Sequence, residues 1–238
     1  MQNNYFSESC YEVFLKTFVN QGYSFKSFNN FEEGQNQIVL RHDIDFDTSI
    51  ALKCAEFESA MNIKSNYFFL LSSDFYNVIN QRTFRDIIKI KELNHNISLH
   101  FDPLIYDDFE QGFLFEKELF ESLFNVDVKI ISIHRPNDFF LNHNSKIMGV
   151  YHTYQDMFFK KINYYSDSSG MWRFGSPINS EDFKNGNTFH VLTHPIWWFM
   201  NGESNLEVLK NYYEYRKLGL KHSFLKNCKP FKQLYNQI

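Results

Sequence analysis

The sequence predicts an α/β protein with a mainly parallel sheet. Two observations carry this. Short runs rich in β-branched and aromatic residues alternate with longer segments of helical periodicity. Acid or imidazole side chains also fall at or just past the C-terminal ends of five predicted strands, the end at which parallel barrels assemble their active sites.

The elements follow in order. Residues 7–25 (SESCYEVFLKTFVNQGYSF) read as an amphipathic helix, with Ser7 or Ser9 as cap and Gly22 as stop. Residues 37–47 (QIVLRHDIDFD) open as a buried strand and turn abruptly polar, and 47–63 (DTSIALKCAEFESAMNI) carry apolar residues at helical spacing. Strand 64–73, helix 82–94, strand 97–102, helix 107–124 and strand 128–136 continue the alternation. INYYSDSSG (162–170) and TFHVLTHP (188–195) repeat the strand-then-polar pattern, and a last helix is expected over 204–219. With 9 Gly and 5 Pro, no repeat and no linker-like stretch, one domain over residues 1–238 is the expectation, residues 1–37 being a helical extension packed against it.

Composition excludes several classes. The net charge of −4 lacks the basic excess of a nucleic-acid binder. No run of 18 apolar residues is present, so no transmembrane helix is expected. The opening MQNNYFSESC lacks a basic start followed by an apolar stretch, and the three cysteines are scattered and odd in number. Both point to a cytoplasmic protein. Aromatic residues reach 19%, most of them expected in the core.

The chemistry-bearing residues lie in five motifs. In RHDIDFD (41–47), Asp43 and Asp45 share a strand face because side chains alternate with period two. Two carboxylates on one face repel unless a cation or proton lies between them, which a divalent metal on one and a proton-accepting role for the other would resolve. Asp47 reads as a helix cap, and His42, on the opposite face, as a core or supporting histidine. In SLHFDP, His100 ends a strand and is a candidate metal ligand, with Asp102 two residues on. In SIHRP, His134 is another candidate ligand and Arg135 a bidentate partner for a carboxylate. In YSDSSGMWR, Asp167 sits in a turn, with Trp172 and Arg173 as candidate sugar contacts. In LTHPIWW, His194 ends a strand, and Trp197 and Trp198 suit a carbohydrate pocket, since sugar C–H faces pack on indole rings.

In this order, from residue 38 to about 200, these segments resemble the polysaccharide deacetylase family (carbohydrate esterase family 4, with NodB-like homology). LRHDID, SLHFD, HRP, DSSGMWR and LTHPIWW look like a bacterial subgroup associated with surface-polysaccharide synthesis (lipopolysaccharide or capsule). The resemblance implies an irregular seven-stranded (β/α) barrel, one divalent metal, commonly zinc, and removal of an N-acetyl or N-formyl group from an amino sugar. That sugar would be linked to a nucleotide, a lipid or a glycan. It also implies roles by position: Asp43 the base, Asp45 and His100 metal ligands, Arg135 the residue steadying the base, and His194 the general acid beside Asp167. One departure stands out. The family's second metal-binding histidine falls at Leu104 here, so His134, or else Asp102, takes its place. A non-catalytic sugar-binding relative and a hydrolase of a non-sugar amide are the alternative expectations.

Overall fold

The computed structural model describes residues 6–34 and 36–235. Its elements are α1 (Glu8–Asn20), β1 (Ser24–Lys26), β2 (Gln37–Ile44), α2 (Thr48–Ala60), β3 (Asn66–Leu70), α3 (Gln81–Glu92), β4 (Asn96–Phe101), α4 (Phe109–Phe124) and β5 (Ile130–Ile133). They continue through α5 (Asp138–Asn142), β6 (Tyr151–His152), α6 (Asp156–Phe159), β7 (Asn163–Ser166), α7 (Glu181–Lys184), β8 (Phe189–Thr193), α8 (Pro195–Phe199), α9 (Asn205–Asn227) and α10 (Lys229–Tyr235).

Seven parallel strands curl into a half-barrel in the order β6-β5-β4-β3-β2-β8-β7. Among the described residues the two edge strands, β6 and β7, do not pair with each other. All eight residues of β2 and all five of β3 and β8 are buried, as expected for parallel strands covered on both faces. The register sets Leu70 beside His100 and His100 beside Ser132, so the strand tips end level with one another.

Helices cover the outer face. The α1 helix, capped by Ser7, buries Tyr11, Phe14, Leu15 and Phe18, the spacing of one helical face. Those rings meet Trp172 and Trp198. Asp47 caps α2 by accepting from the backbone N–H of Ser49 and Ile50.

Of the expected helical extension over residues 1–37, residues 1–5 and 35 lie outside the described residues, and the described part is not purely helical. Ser24–Lys26 form β1, which pairs in parallel with the start of β2 and so belongs to the sheet. The last helix is also longer than its apolar pattern indicated: α9 continues to Asn227, and only Val208 and Tyr212 of it are buried. No described helix is long and apolar enough to cross a membrane.

Candidate metal and catalytic centre

A cavity of about 510 Å³ opens at the C-terminal ends of the strands. Asp43, Asp45, His100, Asp102, His134, Arg135, His194 and Trp197 all line it.

Asp43 points inward from β2 and is held on three sides. Arg41, two residues earlier on the same face, donates from Nε to Oδ1 at 2.8 Å and from Nη2 to Oδ2 at 2.6 Å. Ser132 Oγ donates to Oδ2 at 2.9 Å from β5. The arginine is fully buried, and Tyr154 packs over its guanidinium at 5.1 Å. Burial acts to raise the Asp43 carboxyl, but Arg41 outweighs it and holds the group well below the usual carboxylate range. The residue that steadies Asp43 is therefore Arg41. Arg135, given that role from its motif, is exposed at the cavity rim in a left-handed conformation (φ 46°) and has no part in holding Asp43.

Asp45 follows the end of β2 on the same face. Its Oδ1 is buried without a hydrogen bond. It stands 3.2 Å from His100 Nε2 and 3.6 Å from His134 Nδ1, and those two nitrogens are 3.1 Å apart. His100 Nδ1 lies 3.2 Å from the Ser132 carbonyl. Donation to that carbonyl leaves Nε2 as a bare lone pair turned towards Asp45, the tautomer a metal ligand needs. Burial lowers the tendency of His100 to charge, but Asp43 and Asp45 together overcome this and raise its pKa. Burial and then His100 lower that of His134. At Asp45 burial is outweighed by His100 and His194, and the carboxyl is lowered.

Three lone-pair atoms separated by 3.1–3.6 Å fit a single cation. Zinc bonds to N or O of about 2.0–2.2 Å imply a tetrahedral edge of roughly 3.4 Å. Asp102, the other candidate third ligand, has its Oδ1 engaged by the backbone N–H of Leu104 at 3.0 Å, and the Leu104 side chain is exposed.

Facing this group is His194. Its Nδ1 is 2.6 Å from Asp167 Oδ1, and its Nε2 is turned to Asp45 Oδ2 at 3.8 Å. Asp167 is fully buried and accepts from the His194 backbone N–H through both oxygens, and from Trp198 Nε1 at 2.8 Å. Burial disfavours a charge on His194, but Asp167 dominates and the imidazolium is pushed up to about 9. The turn carrying Asp167 needs Gly170, at φ +70°, where a Cβ would lie 2.7 Å from Asn205 Cβ and 3.0 Å from the Trp197 ring.

Of the four expected sugar contacts, Trp197 lines the cavity. Trp198 and Trp172 do not; both pack in the core against Phe6 and Phe14. Arg173 is exposed and does not itself line the cavity; it donates at 3.2 Å to Oγ of Ser169, which does. Two groups of the site, Arg41 and Ser132, are not among the residues the motifs point to; both are buried behind the cavity wall and hold Asp43. The signal for both was the alternation already used for the aspartates: Arg41, Asp43 and Asp45 share one face of their strand, and Ser132 and His134 share one face of theirs.

No family model matches the sequence, and no curated protein matches it. Several solved structures are similar to the chain. One is a family 4 carbohydrate esterase from Bacillus anthracis, at 14% identity and a TM-score of 0.47, covering 87% of this chain and 86% of that one. A chitin deacetylase from Colletotrichum lindemuthianum is similar at 10% identity and TM-score 0.44, covering 82% and 86%. A mutant of a family 4 pseudoenzyme from Bacillus anthracis, with restored enzymatic activity, is similar at 12% identity and TM-score 0.42, covering 79% of this chain. The present chain spans 65% of that protein's length.

Proposed function

We propose that this protein is a divalent-metal-dependent hydrolase that removes an N-acyl group from an amino sugar. The observation that carries the reading is the pairing of two sets across one cavity. Asp45, His100 and His134 converge on one point, and a His194–Asp167 dyad faces them.

Asp45 Oδ1, His100 Nε2 and His134 Nδ1 would hold the metal, zinc by its preference for this donor set. A metal held there supplies Lewis acidity to an amide carbonyl and lowers the pKa of water from 15.7 towards 7. Asp43, kept ionised and oriented by Arg41 and Ser132, accepts the proton of the attacking water. Its low basicity makes it a modest base, adequate only for an acidified water. His194 is protonated at neutral pH, and its Nε2–H delivers a proton to the leaving amine nitrogen. Asp167 fixes the imidazole and stabilises its charge. Leu70, Ile133 and Leu192 also line the cavity and give apolar surface for an acetyl methyl. The sequence resemblance supports surface-polysaccharide synthesis as the setting.

The test uses purified protein, metal analysis, and release of acetate or formate from N-acetyl and N-formyl hexosamine derivatives. One divalent ion per chain and acetate release are expected. His194→Gln should keep the metal and lose 10²- to 10⁴-fold in turnover, the usual worth of general acid catalysis. Full activity in that variant overturns the acid assignment. A metal-free, inactive wild-type protein that still binds the sugar favours the non-catalytic reading, for which Leu104 in place of a histidine is the specific motive.

A further inference from the structure

The long helix α9 presents two apolar faces. Val208 and Tyr212 turn into the protein. Leu206, Leu209, Tyr213, Leu220 and Phe224 follow spacings of 3, 4, 7 and 4, which align them along another face. All five are exposed, Leu206 at 75%, Tyr213 at 65% and Leu220 at 60%. Exposed Leu234 and Tyr235 of α10 extend the apolar surface at the end of the arm.

Charge is strongly segregated towards the same arm. Residues 210–238 carry seven Lys or Arg and one Glu, a net +6 in a chain of net −4, which leaves −10 to the other 209 residues. At 100° per residue, Lys210 and Lys217 run along one side of the apolar stripe and Arg216 along the other. Leu218, also exposed, lies on the opposite side, so α9 as a whole is not amphipathic; what favours a lipid surface is the exposed apolar stripe flanked by basic residues whose long aliphatic stems reach headgroup phosphates.

We propose that α9 and α10 dock the protein on an anionic bilayer surface, the apolar stripe at the headgroup boundary and the basic flanks on lipid phosphates. A homotypic pairing of this helix with a second copy would oppose like charges along its whole length. Nucleic acid would match the charge but leave five large apolar side chains against a polar groove. The stripe also reaches the catalytic cavity, because Leu209 belongs to both. On the hydrolase reading proposed above, the cavity then opens beside the bilayer, where a lipid-linked amino sugar would be presented.

The full chain is sedimented with vesicles of equal parts phosphatidylglycerol and phosphatidylcholine, and with vesicles of phosphatidylcholine alone. Binding to the first and not the second is expected, weakening as salt rises. The double variant Leu220→Asp, Phe224→Asp should lose binding while keeping the wild-type circular dichroism and melting temperature. Lys210→Ala with Lys217→Ala should weaken it on the order of thirtyfold, at about fivefold for each basic residue near an anionic surface. No association with the anionic vesicles at low salt overturns the proposal. So does a concentration-dependent dimer in light scattering that Leu220→Asp, Phe224→Asp abolishes, since a second copy would then cover the stripe. Asp45→Ala should bind vesicles like the wild type, so failure of the hydrolase reading and failure of this one are told apart.

Discussion

Among the described residues, two clusters combine histidine with acidic or thiol groups at metal-binding distances: Asp45, His100 and His134 at the strand tips, and His42, Cys54 and Glu58 behind the sheet. The difference between them lies in how their lone pairs are used. Glu58 is fully buried and accepts from the Tyr11 hydroxyl, His42 Nε2 at 2.8 Å, Ser65 Oγ at 2.7 Å and the Tyr67 hydroxyl at 2.8 Å. His42 is engaged at its other nitrogen by Thr193 Oγ1 at 2.7 Å. Burial opposes the Glu58 charge, yet His42 outweighs it and brings the carboxyl down to about 2. This cluster is saturated by the protein itself and ties α1, α2, β2, β3 and β8 together. At the strand tips Asp45 Oδ1 has no hydrogen-bond partner, and its near neighbours, His100 Nε2 and His134 Nδ1, are bonded only to each other, at 3.1 Å. Proximity of ligand-type atoms is common to both; unspent coordination capacity facing a cavity belongs to one.

The sharpest way to break this comparison is to remove one ligand from each. His100→Ala should lose the divalent ion from purified protein, and with it essentially all turnover, while Cys54→Ala should keep a full complement of metal. Equal metal loss in both variants, measured by elemental analysis after gel filtration, would erase the distinction. Next in size comes Glu58→Gln. It puts an amide N–H₂ among donors that all need an acceptor, and should cost about 3 kcal/mol, as for a buried charged group whose partners are left unpaired. Urea midpoints measure the loss, and the metal content of the folded fraction should stay at the wild-type level. A stability unchanged by Glu58→Gln would mean the network is not the tie described here.

Much of this was legible in the sequence because period-two and period-3.6 patterns are properties of residue order alone. They place Asp43 and Asp45 on one face and Asp47 on a helix cap. What was not legible depends on contacts between distant segments. Ser132 reaches Asp43 on β2 only because β5, three strands away across β4 and β3, is brought round by the curl of the sheet. Trp198 looked like a sugar platform beside His194, but α8 turns it outward onto α1, where its N–H serves Asp167 instead. The two-residue strand β6 and the three-residue β1 are too short for any periodicity to register. The motifs assign an aspartate to Arg135, yet Arg41 is the one that holds Asp43. The nearer in sequence holds it, since two residues along a strand put both side chains on the same face.

The smallest of these effects is a dependence on pH that separates His190 from His194. His190 is fully buried on β8, its Nδ1–H donating to the Phe158 carbonyl at 2.9 Å. Burial, and then Arg41, lowers it to about 3. A folded-state pKa below the unfolded value of about 6.5 means the unfolded chain takes up the proton first. The contribution is therefore complete above pH 6.5 and is lost as pH falls towards 3. At His194 the sign reverses: with a pKa of about 9, it stabilises the fold below pH 6.5 and loses that contribution as pH rises through 9. Between pH 7 and 5, neutral burial of His190 should cost the fold about 2 kcal/mol. His190→Gln, which keeps a donor for Phe158, removes that titration. Its stability should therefore change by about 2 kcal/mol less than the wild type between those two pH values. Urea denaturation of both proteins at pH 7 and 5 measures the difference directly. Parallel losses in the two would show that His190 already carries its proton in the folded state.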